Sequence, residues 1–220
     1  MSQPTSPIRI AVLVSGKGRG TNLQAIIDAC EAGRIDGQVV VVVSTNPAAP
    51  ALQRAHRHGI PTVVASPKEL ASDEELDAML LDTLQQYRVD LVCLAGYMRK
   101  LGPEVLRRYR WRIMNVHPAL IPSFCGKGMY GIRVHQAALE YGVKVSGVTV
   151  IFIDEEYDTG PVILQEAVPV EEDDTPETLA ARILPHEHAA YCKAIQLFAE
   201  GRLKVEGRRV RVLPLQRQPA

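Results

Sequence analysis

Short runs of apolar, β-branched residues alternate with amphipathic segments along the first half of the chain. Five runs predict buried strands: 8–15, 38–45, 61–66, 90–96 and 113–117. Four segments between them carry apolar residues at helical spacing: 21–33, 49–59, 72–87 and 103–109. Unbroken apolar runs are typical of strands that helices cover on both faces. We therefore predict right-handed βαβ units that build a parallel sheet.

The pattern changes after about residue 143. The runs 144–154 and 160–170 have no long helix between them, which favours antiparallel pairing. Thr175 and Pro176 predict the start of a helix that runs to about Glu200, and 202–213 resembles a small hairpin. The predicted fold class is α/β, with a Rossmann-like, mostly parallel central sheet and an antiparallel C-terminal extension. We expect a single domain over 1–220, with its core at about 8–200 and a hairpin or tail at 201–220.

Composition and charge narrow the function classes. The chain has 220 residues, and its 25 basic and 25 acidic residues cancel, whereas proteins that grip a nucleic-acid backbone usually show a basic excess. The four cysteines contain no CxxC pair, which argues against a zinc site or a disulfide framework. The polar start MSQPTSP predicts no signal peptide, and the apolar runs are strand-sized, so we expect no membrane span. We expect a cytoplasmic protein that binds neither nucleic acid nor membrane.

Three loops fall at the predicted carboxyl ends of parallel strands, where sheets of this type bind their ligands. The first, SGKGRGTN, opens a helix, and its glycines let a backbone approach a phosphate closely. Gly18, Gly20, Thr21 and Asn22 are the candidate phosphate donors. The alternative is a tight turn in which Thr21 or Asn22 only caps the helix. The loop lacks the GxGxxG spacing and no acidic residue ends the second strand, so a mononucleotide-sized phosphate is favoured over NAD.

The stretch NVHP ends the fifth strand with two polar side chains. His117 could carry a proton near neutral pH, and Asn115 could donate a hydrogen bond to a developing oxyanion. Viewed alone, the segment fits a strand-end turn equally well. Asp158, in DTGP, is by default a turn aspartate. If it folds onto His117, it would favour the charged imidazolium and fix the ring orientation.

The remaining histidines give weaker signals. His186 and His188 flank a glutamate, but their spacing points them to different faces of a helix, unlike the HExxH zinc motif. His135, in a predicted helix, is interpreted as structural. We predict no metal site.

Taken together, the motifs resemble a known family. IAVLVSGKGRGTNLQAIIDA, VCLAGYMRKLGPEVL, IMNVHPALIPSF, GVTVIFIDEEYDTGPVILQEAVPV, DDTPETLAARI and EHAAY occur in the order found in glycinamide ribonucleotide formyltransferases. The resemblance covers roughly residues 8–200. It implies transfer of the formyl group of 10-formyltetrahydrofolate to the amine of glycinamide ribonucleotide in purine biosynthesis. These two small molecules are the implied substrates, no metal is implied, and a monomer or homodimer is expected.

The resemblance also assigns roles residue by residue. Asn115, His117 and Asp158 match the catalytic trio. Gly20, Thr21 and Asn22 match the phosphate loop, and Glu187 matches a residue that contacts the ribonucleotide. The matched walls of the folate pocket are Met98, Arg99, Lys100 and Leu101 on one side and Asp154, Glu155 and Asp158 on the other, with Asn115 between them.

The chain departs from the family pattern in several places. The glycine loop and the loop PSFCGKGMYG, at 122–131, are longer than usual, and Lys68 stands near the position of an arginine that contacts the folate tail.

Two other function classes stay open at this stage. One keeps the folate but uses water, a charged tRNA or an amino sugar as acceptor; the other is a nucleotide-binding module without catalysis. Folate enzymes with another acceptor that carry an extra domain are disfavoured, because we expect a single domain here.

Overall fold

A computed structural model describes residues 7–15 and 18–215. The strands within these ranges form one sheet in the order β3-β2-β1-β4-β5-β6-β7-β9-β8. Their bounds are β1 Ile8–Val14, β2 Gly37–Ser44, β3 Thr62–Val64, β4 Leu91–Leu94, β5 Ile113–His117, β6 Val145–Phe152, β7 Val162–Pro169, β8 Leu203–Glu206 and β9 Arg209–Val212. The α/β fold class predicted from the sequence is confirmed.

The helices fill the connections that the apolar spacing predicted. Their bounds are α1 Thr21–Glu31, α2 Pro50–Arg57, α3 Asp73–Gln86, α4 Pro103–Arg108, α5 Ile132–Tyr141 and α6 Pro176–Ala199. The Ser72 side chain caps α3 by accepting from the Glu75 amide, and Thr175 caps α6 in a capping box. At α1 the interpretation of Thr21 or Asn22 as the cap is wrong. Gly20 is the N-cap there, and its φ of 69° lies in the left-handed region that glycine tolerates.

The sheet is mixed, with antiparallel pairs at β5/β6, β6/β7 and β8/β9. Strands β3, β2, β1, β4 and β5 run parallel, whereas β6 is antiparallel to both β5 and β7. The order 3-2-1-4-5 reverses between β1 and β4, which is the topological switch point where open α/β sheets bind ligands. The loops after β1 and β4 therefore flank the predicted ligand edge.

Hydrophobic clusters cover the two faces of the sheet. One cluster packs α1, α2 and α6 against one face, and the other packs α3 and α4 against the opposite face. Inward-facing positions of β1 divide between the two clusters, with Ile10 and Val12 in the first and Ala11 and Leu13 in the second. This two-sided burial accounts for the unbroken apolar runs of the sequence. Across the described residues, no helix combines the length and apolar content needed to cross a membrane.

Candidate active site

The end of β5 presents two polar side chains to the same face of the sheet. Asn115 and His117 are two residues apart, so their side chains project in the same direction. Asn115 pairs with Leu94 of β4 and Ile151 of β6, and His117 pairs with Thr149 of β6. His117 is 4% exposed, so its ring is fixed by its surroundings rather than by water.

Both ring nitrogens of His117 face acceptor groups. Its Nε2 lies 2.8 Å from the Phe124 carbonyl oxygen, and its Nδ1 lies 3.8 Å from Asp158 Oδ2. A carbonyl can only accept, so Nε2 carries a hydrogen and donates it. A second hydrogen on Nδ1 would point at a carboxylate. The ring is therefore held between a carbonyl at Nε2 and a carboxylate near Nδ1.

Asp158 reaches His117 from the β6–β7 connection. This connection leaves the sheet beside Met114, where Phe152 ends β6, and folds back over the sheet face. Asp158 adopts a φ of 57°, a left-handed conformation that aspartate tolerates better than most residues. A Cβ added to Gly160 would lie 1.7 Å from the Phe152 carbonyl oxygen. The glycine of DTGP is therefore required for the close approach that seats this loop.

The 118–131 segment contacts both members of the His117–Asp158 pair. Phe124 supplies the carbonyl to His117, and the Gly126 amide donates to Asp158 Oδ2 at 2.9 Å. The buried Thr149 hydroxyl holds the start of this segment, since it donates to the Ala119 carbonyl at 2.6 Å and accepts from the Ile121 amide at 3.1 Å. The long loop is therefore built into the site.

Tyr191 of α6 fixes the strand ends from behind. Its buried hydroxyl lies 3.0 Å from the Leu94 carbonyl oxygen and 2.8 Å from that of Met114. These carbonyls belong to the neighbouring strands β4 and β5. One side chain of the C-terminal helix thus sets the spacing of the two strands that lead into the site.

The start of α1 forms the second part of the site. Gly20 packs against α2, where an added Cβ would lie 2.9 Å from Ala51 Cβ. Arg54 of α2 donates from Nε to the Arg19 carbonyl at 2.7 Å, which brings a cation beside the helix start. Gly18 is exposed, and Gly16 and Lys17 of the same loop lie outside the described residues. The free amides at the helix start and the nearby guanidinium suit an anion.

Asn22 and Glu187 join this helix start to α6. Asn22 Nδ2 donates to Glu187 Oε2 at 3.4 Å, while Asn22 Oδ1 is buried without a partner among the described residues. Burial raises the pKa of Glu187 to about 7, although the Asn22 hydrogen bond opposes this shift. The side-chain oxygens of Asn22 and Glu187 lie side by side and can accept further hydrogen bonds, so they suit a ligand that offers hydroxyl donors.

A cavity of about 440 Å³ lies between α3 and the two predicted folate walls. Met98, Arg99, Lys100 and Leu101 line one side, and Tyr157 lines another. The walls are connected, because Lys100 Nζ contacts Glu156 Oε2 at 2.7 Å and lies 5.4 Å from the centre of the Tyr157 ring. Arg99 pairs with Asp73 at the rim.

Other side chains order the two walls. Ser15 Oγ accepts from the Met98 amide at 2.7 Å and donates to the Gly96 carbonyl at 3.0 Å, which ties the first wall to the end of β1. Asp154 accepts from the Thr159 hydroxyl at 2.6 Å and so shapes its own loop, whereas Glu155 is exposed.

Several residues considered from the sequence lie apart from this cluster. Lys68 is exposed in the loop after β3, a strand four positions from β5 in the sheet. His186 pairs with Glu166 at 2.7 Å, on a different face of α6 from Glu187. No group of three or more histidine, cysteine, aspartate or glutamate side chains within the described ranges is arranged to hold a metal.

A larger groove, of about 840 Å³, runs between α1 and α6. It includes Thr21 and His188 but none of Asn115, His117 and Asp158. The smaller cavity also includes none of these three residues, but its lining residue Tyr157 directly precedes Asp158.

Sequence reasoning missed the groups that hold the site in shape. Phe124 and Gly126 act through their main chains, which leaves no side-chain signal. Thr149 and Tyr191 sit in apolar segments, where a single hydroxyl resembles an ordinary core residue. The signal that could have identified Thr149 and Tyr191 is a hydroxyl side chain within an apolar segment, because a buried hydroxyl needs a hydrogen-bond partner.

Comparisons with known proteins show the family to which the chain belongs. The sequence profile described as "Formyl transferase" matches residues 8–195. A solved structure of glycinamide ribonucleotide transformylase 1 from Symbiobacterium toebii is 52% identical, covers 94% of both chains and has a TM-score of 0.88. A phosphoribosylglycinamide formyltransferase from Haemophilus influenzae is 40% identical over 90% of both chains. A trifunctional purine biosynthetic protein from Gallus gallus is 41% identical over 91% of this chain, which spans only 19% of that protein.

Proposed function

The chain belongs to the phosphoribosylglycinamide formyltransferases of the formyl transferase family, and we propose that Asn115, His117 and Asp158 carry its chemistry. The enzyme formylates the amine of phosphoribosylglycinamide in de novo purine biosynthesis. The proposed formyl donor is 10-formyltetrahydrofolate. The observation that carries the proposal is the enclosure of His117 by the Phe124 carbonyl and Asp158, two residues along the strand from Asn115.

The substrate amine attacks the formyl carbon, and the formyl oxygen becomes an oxyanion. Asn115 supplies a hydrogen-bond donor for that charge, and the Nε2–H of His117 supplies a second one once the substrates displace the Phe124 carbonyl from it. The bond between the formyl carbon and the folate nitrogen then breaks. His117 delivers a proton to the departing nitrogen, and the attacking amine loses one to water.

Asp158 orients the His117 ring. Its carboxylate lies near Nδ1 while the Phe124 carbonyl accepts from Nε2, so the ring is held between the two groups. Closure of the 118–131 segment over this pair also limits access of water.

Phosphoribosylglycinamide is proposed to bind along α1. Its phosphate meets Gly18, Gly20, Thr21 and Asn22 at the helix start, where the free amides and the helix dipole favour an anion. Its ribose hydroxyls donate to Glu187 and to the unpartnered oxygen of Asn22. Holding the phosphate and ribose in this way brings the amine towards His117, an entropic contribution of several kcal/mol in well-oriented cases.

The folate is proposed to lie between the walls of the smaller cavity. Met98 and Leu101 provide apolar contact, and Arg99 and Lys100 at the exposed rim suit the carboxylates of the glutamate tail. Asp154 and Glu155 border the opposite wall. Lys68 is proposed to contact only the outer end of a long tail, because it lies far along the sheet edge.

The test is an assay of the purified protein with both substrates and with each omitted in turn. We expect tetrahydrofolate and formylated nucleotide to form together only when both are present. Formate release without phosphoribosylglycinamide at a comparable rate would assign water as the acceptor and overturn the proposal. Absence of transfer with both substrates would overturn it as well.

Variants test the assigned roles. His117→Ala and Asp158→Asn are expected to lower kcat by about 10²–10⁴-fold, the usual range for losing a general acid, with little change in nucleotide binding. His186→Ala is the matched control, because His186 lies on α6 with a partner outside the site. Wild-type turnover in either catalytic variant would remove that residue from the mechanism.

A further inference from the structure

Gln165 of β7 lies directly opposite Thr149 of β6 in the antiparallel pair. Opposite residues of such a pair point to the same face of the sheet, so both side chains project towards the start of the 118–131 segment. Gly147 lies two residues before Thr149 and belongs to the same face. A Cβ added to Gly147 would lie 2.8 Å from Leu120 Cδ2, so the start of this segment packs directly on β6.

The side-chain amide of Gln165 faces two acceptors. Its Nε2 lies 2.9 Å from the Ile121 carbonyl oxygen and 3.0 Å from Thr149 Oγ1. The nitrogen rather than the amide oxygen occupies this position, because the Ile121 carbonyl can only accept a hydrogen bond. The two hydrogens of the amide nitrogen therefore serve one acceptor each.

The Thr149 hydroxyl uses its full hydrogen-bonding capacity, which is one donor and two acceptor positions. It donates to the Ala119 carbonyl at 2.6 Å and accepts from the Ile121 amide at 3.1 Å and from Gln165. Because Gln165 brings its own hydrogen, the hydrogen of the hydroxyl stays available for Ala119. Gln165 thus orients the Thr149 hydroxyl and also holds the Ile121 carbonyl.

A short turn connects this anchor to the contacts of the proposed catalytic residues. The Ser123 amide donates to the Leu120 carbonyl at 3.0 Å, so the chain turns immediately after the anchored residues. The next residues are Phe124, whose carbonyl accepts from His117, and Cys125. Gly126 follows, and its amide donates to Asp158. A shift of the anchor would therefore move the groups that contact His117 and Asp158.

We propose that Gln165 is a positioning residue for formyl transfer, which acts through Thr149 and the Ile121 carbonyl on the arrangement of His117 and Asp158. The effect falls on the chemical step rather than on nucleotide binding, because the proposed nucleotide site lies on α1 and α6. This inference rests on the proposed function, since it assumes that His117 and Asp158 carry the reaction.

Two substitutions test the donor role of Gln165. Gln165→Met keeps the length of the side chain and removes the amide, and we expect kcat to fall about five- to thirtyfold, the effect of losing one or two neutral hydrogen bonds. Gln165→Glu keeps the shape but turns a carboxylate towards the Ile121 carbonyl, so kcat is expected to fall at least as far. The KM for phosphoribosylglycinamide is expected to stay unchanged in both variants.

The rate is expressed per nucleotide-binding site, counted by calorimetric titration with phosphoribosylglycinamide, so that misfolded protein does not lower the apparent kcat. Gln136→Met is the matched control. Gln136 is an exposed glutamine of α5 whose Nε2 donates to Glu140 Oε1 at 2.8 Å, away from the anchored segment. We expect kcat and KM to remain at the wild-type level in this variant.

A wild-type kcat per binding site in Gln165→Met or Gln165→Glu would overturn the inference, as would an equal fall in Gln136→Met. A KM for phosphoribosylglycinamide that rises by the same factor as kcat falls would also overturn it, because the change would then loosen the whole protein. These outcomes leave formyl transfer by the wild-type enzyme intact, whereas failure of the proposed function would appear in the wild-type assay itself.

Discussion

Glu187 offers a prediction that links the site to the stability of the fold. The residue is 9% exposed, and burial raises the pKa of its carboxyl group from 4.5 to about 7. The folded protein therefore holds this proton more tightly than the unfolded chain does between these two pH values. Stability from Glu187 is fully present below about pH 4.5 and is lost as pH rises through about 7.

The size of the effect follows from the shift. A rise of about 2.5 pKa units corresponds to about 3 kcal/mol, at 1.36 kcal/mol per unit. Glu187→Gln resembles the protonated acid in shape and cannot titrate. The difference in unfolding free energy between the variant and the wild type is expected to grow by about 3 kcal/mol in favour of the variant from pH 4.5 to pH 8.

The assay is urea unfolding of both proteins at half-unit pH steps across this range. Other titrating groups are common to the two proteins, so they cancel in the difference. A difference that does not change with pH would refute the reasoning, because it would mean that Glu187 titrates alike in both states. Phosphoribosylglycinamide is expected to reduce the effect above pH 7, since its hydroxyl donors stabilise the charged carboxylate.

Three substitutions test the backbone and hydroxyl contacts. Thr149→Val removes a buried hydroxyl that holds the Ala119 and Ile121 main chains, so we expect about 2–4 kcal/mol lower stability in urea unfolding and a lower kcat; unchanged values in both would contradict this role. Gly160→Ala places a Cβ 1.7 Å from the Phe152 carbonyl and should displace Asp158, which kinetics would register as a loss of kcat. Gly20→Ala introduces a side chain at a φ of 69°, a backbone strain of about 1–2 kcal/mol. We expect this strain to raise the KM for phosphoribosylglycinamide. An unaltered KM would contradict the role of the phosphate loop.

The central architecture could be predicted because each local signal had one dominant cause. Unbroken β-branched runs at β1 and β2 reflect burial on both faces, and Ser72 and Thr175 cap their helices through their own side chains. The antiparallel pairing of β6 and β7 followed from the short connection between them. These features depend on residues that lie close together in the sequence, so one sequence is enough to predict them.

The site could be predicted only in part. The positions of Asn115 and His117 follow from strand periodicity, but the approach of Asp158 depends on a loop that folds back over the sheet. The contacts of Phe124 and Gly126 use main-chain atoms, which carry no residue signature. Glu187 was singled out by resemblance alone, because its deep burial arises from the packing of α6 against α1 and leaves no trace in local composition.

The contacts of Tyr191 predict how the protein behaves when its chain is cut into two fragments. Its hydroxyl reaches two strand carbonyls, of residues that precede it by 97 and 77 positions, and Glu187 lies one turn earlier on the same helix. A cut in the exposed segment between β7 and α6 would leave the proposed catalytic trio on one fragment, and the proposed ribose contact and Tyr191 on the other. The two pieces would then behave as halves of a split reporter, with turnover appearing only upon reassembly.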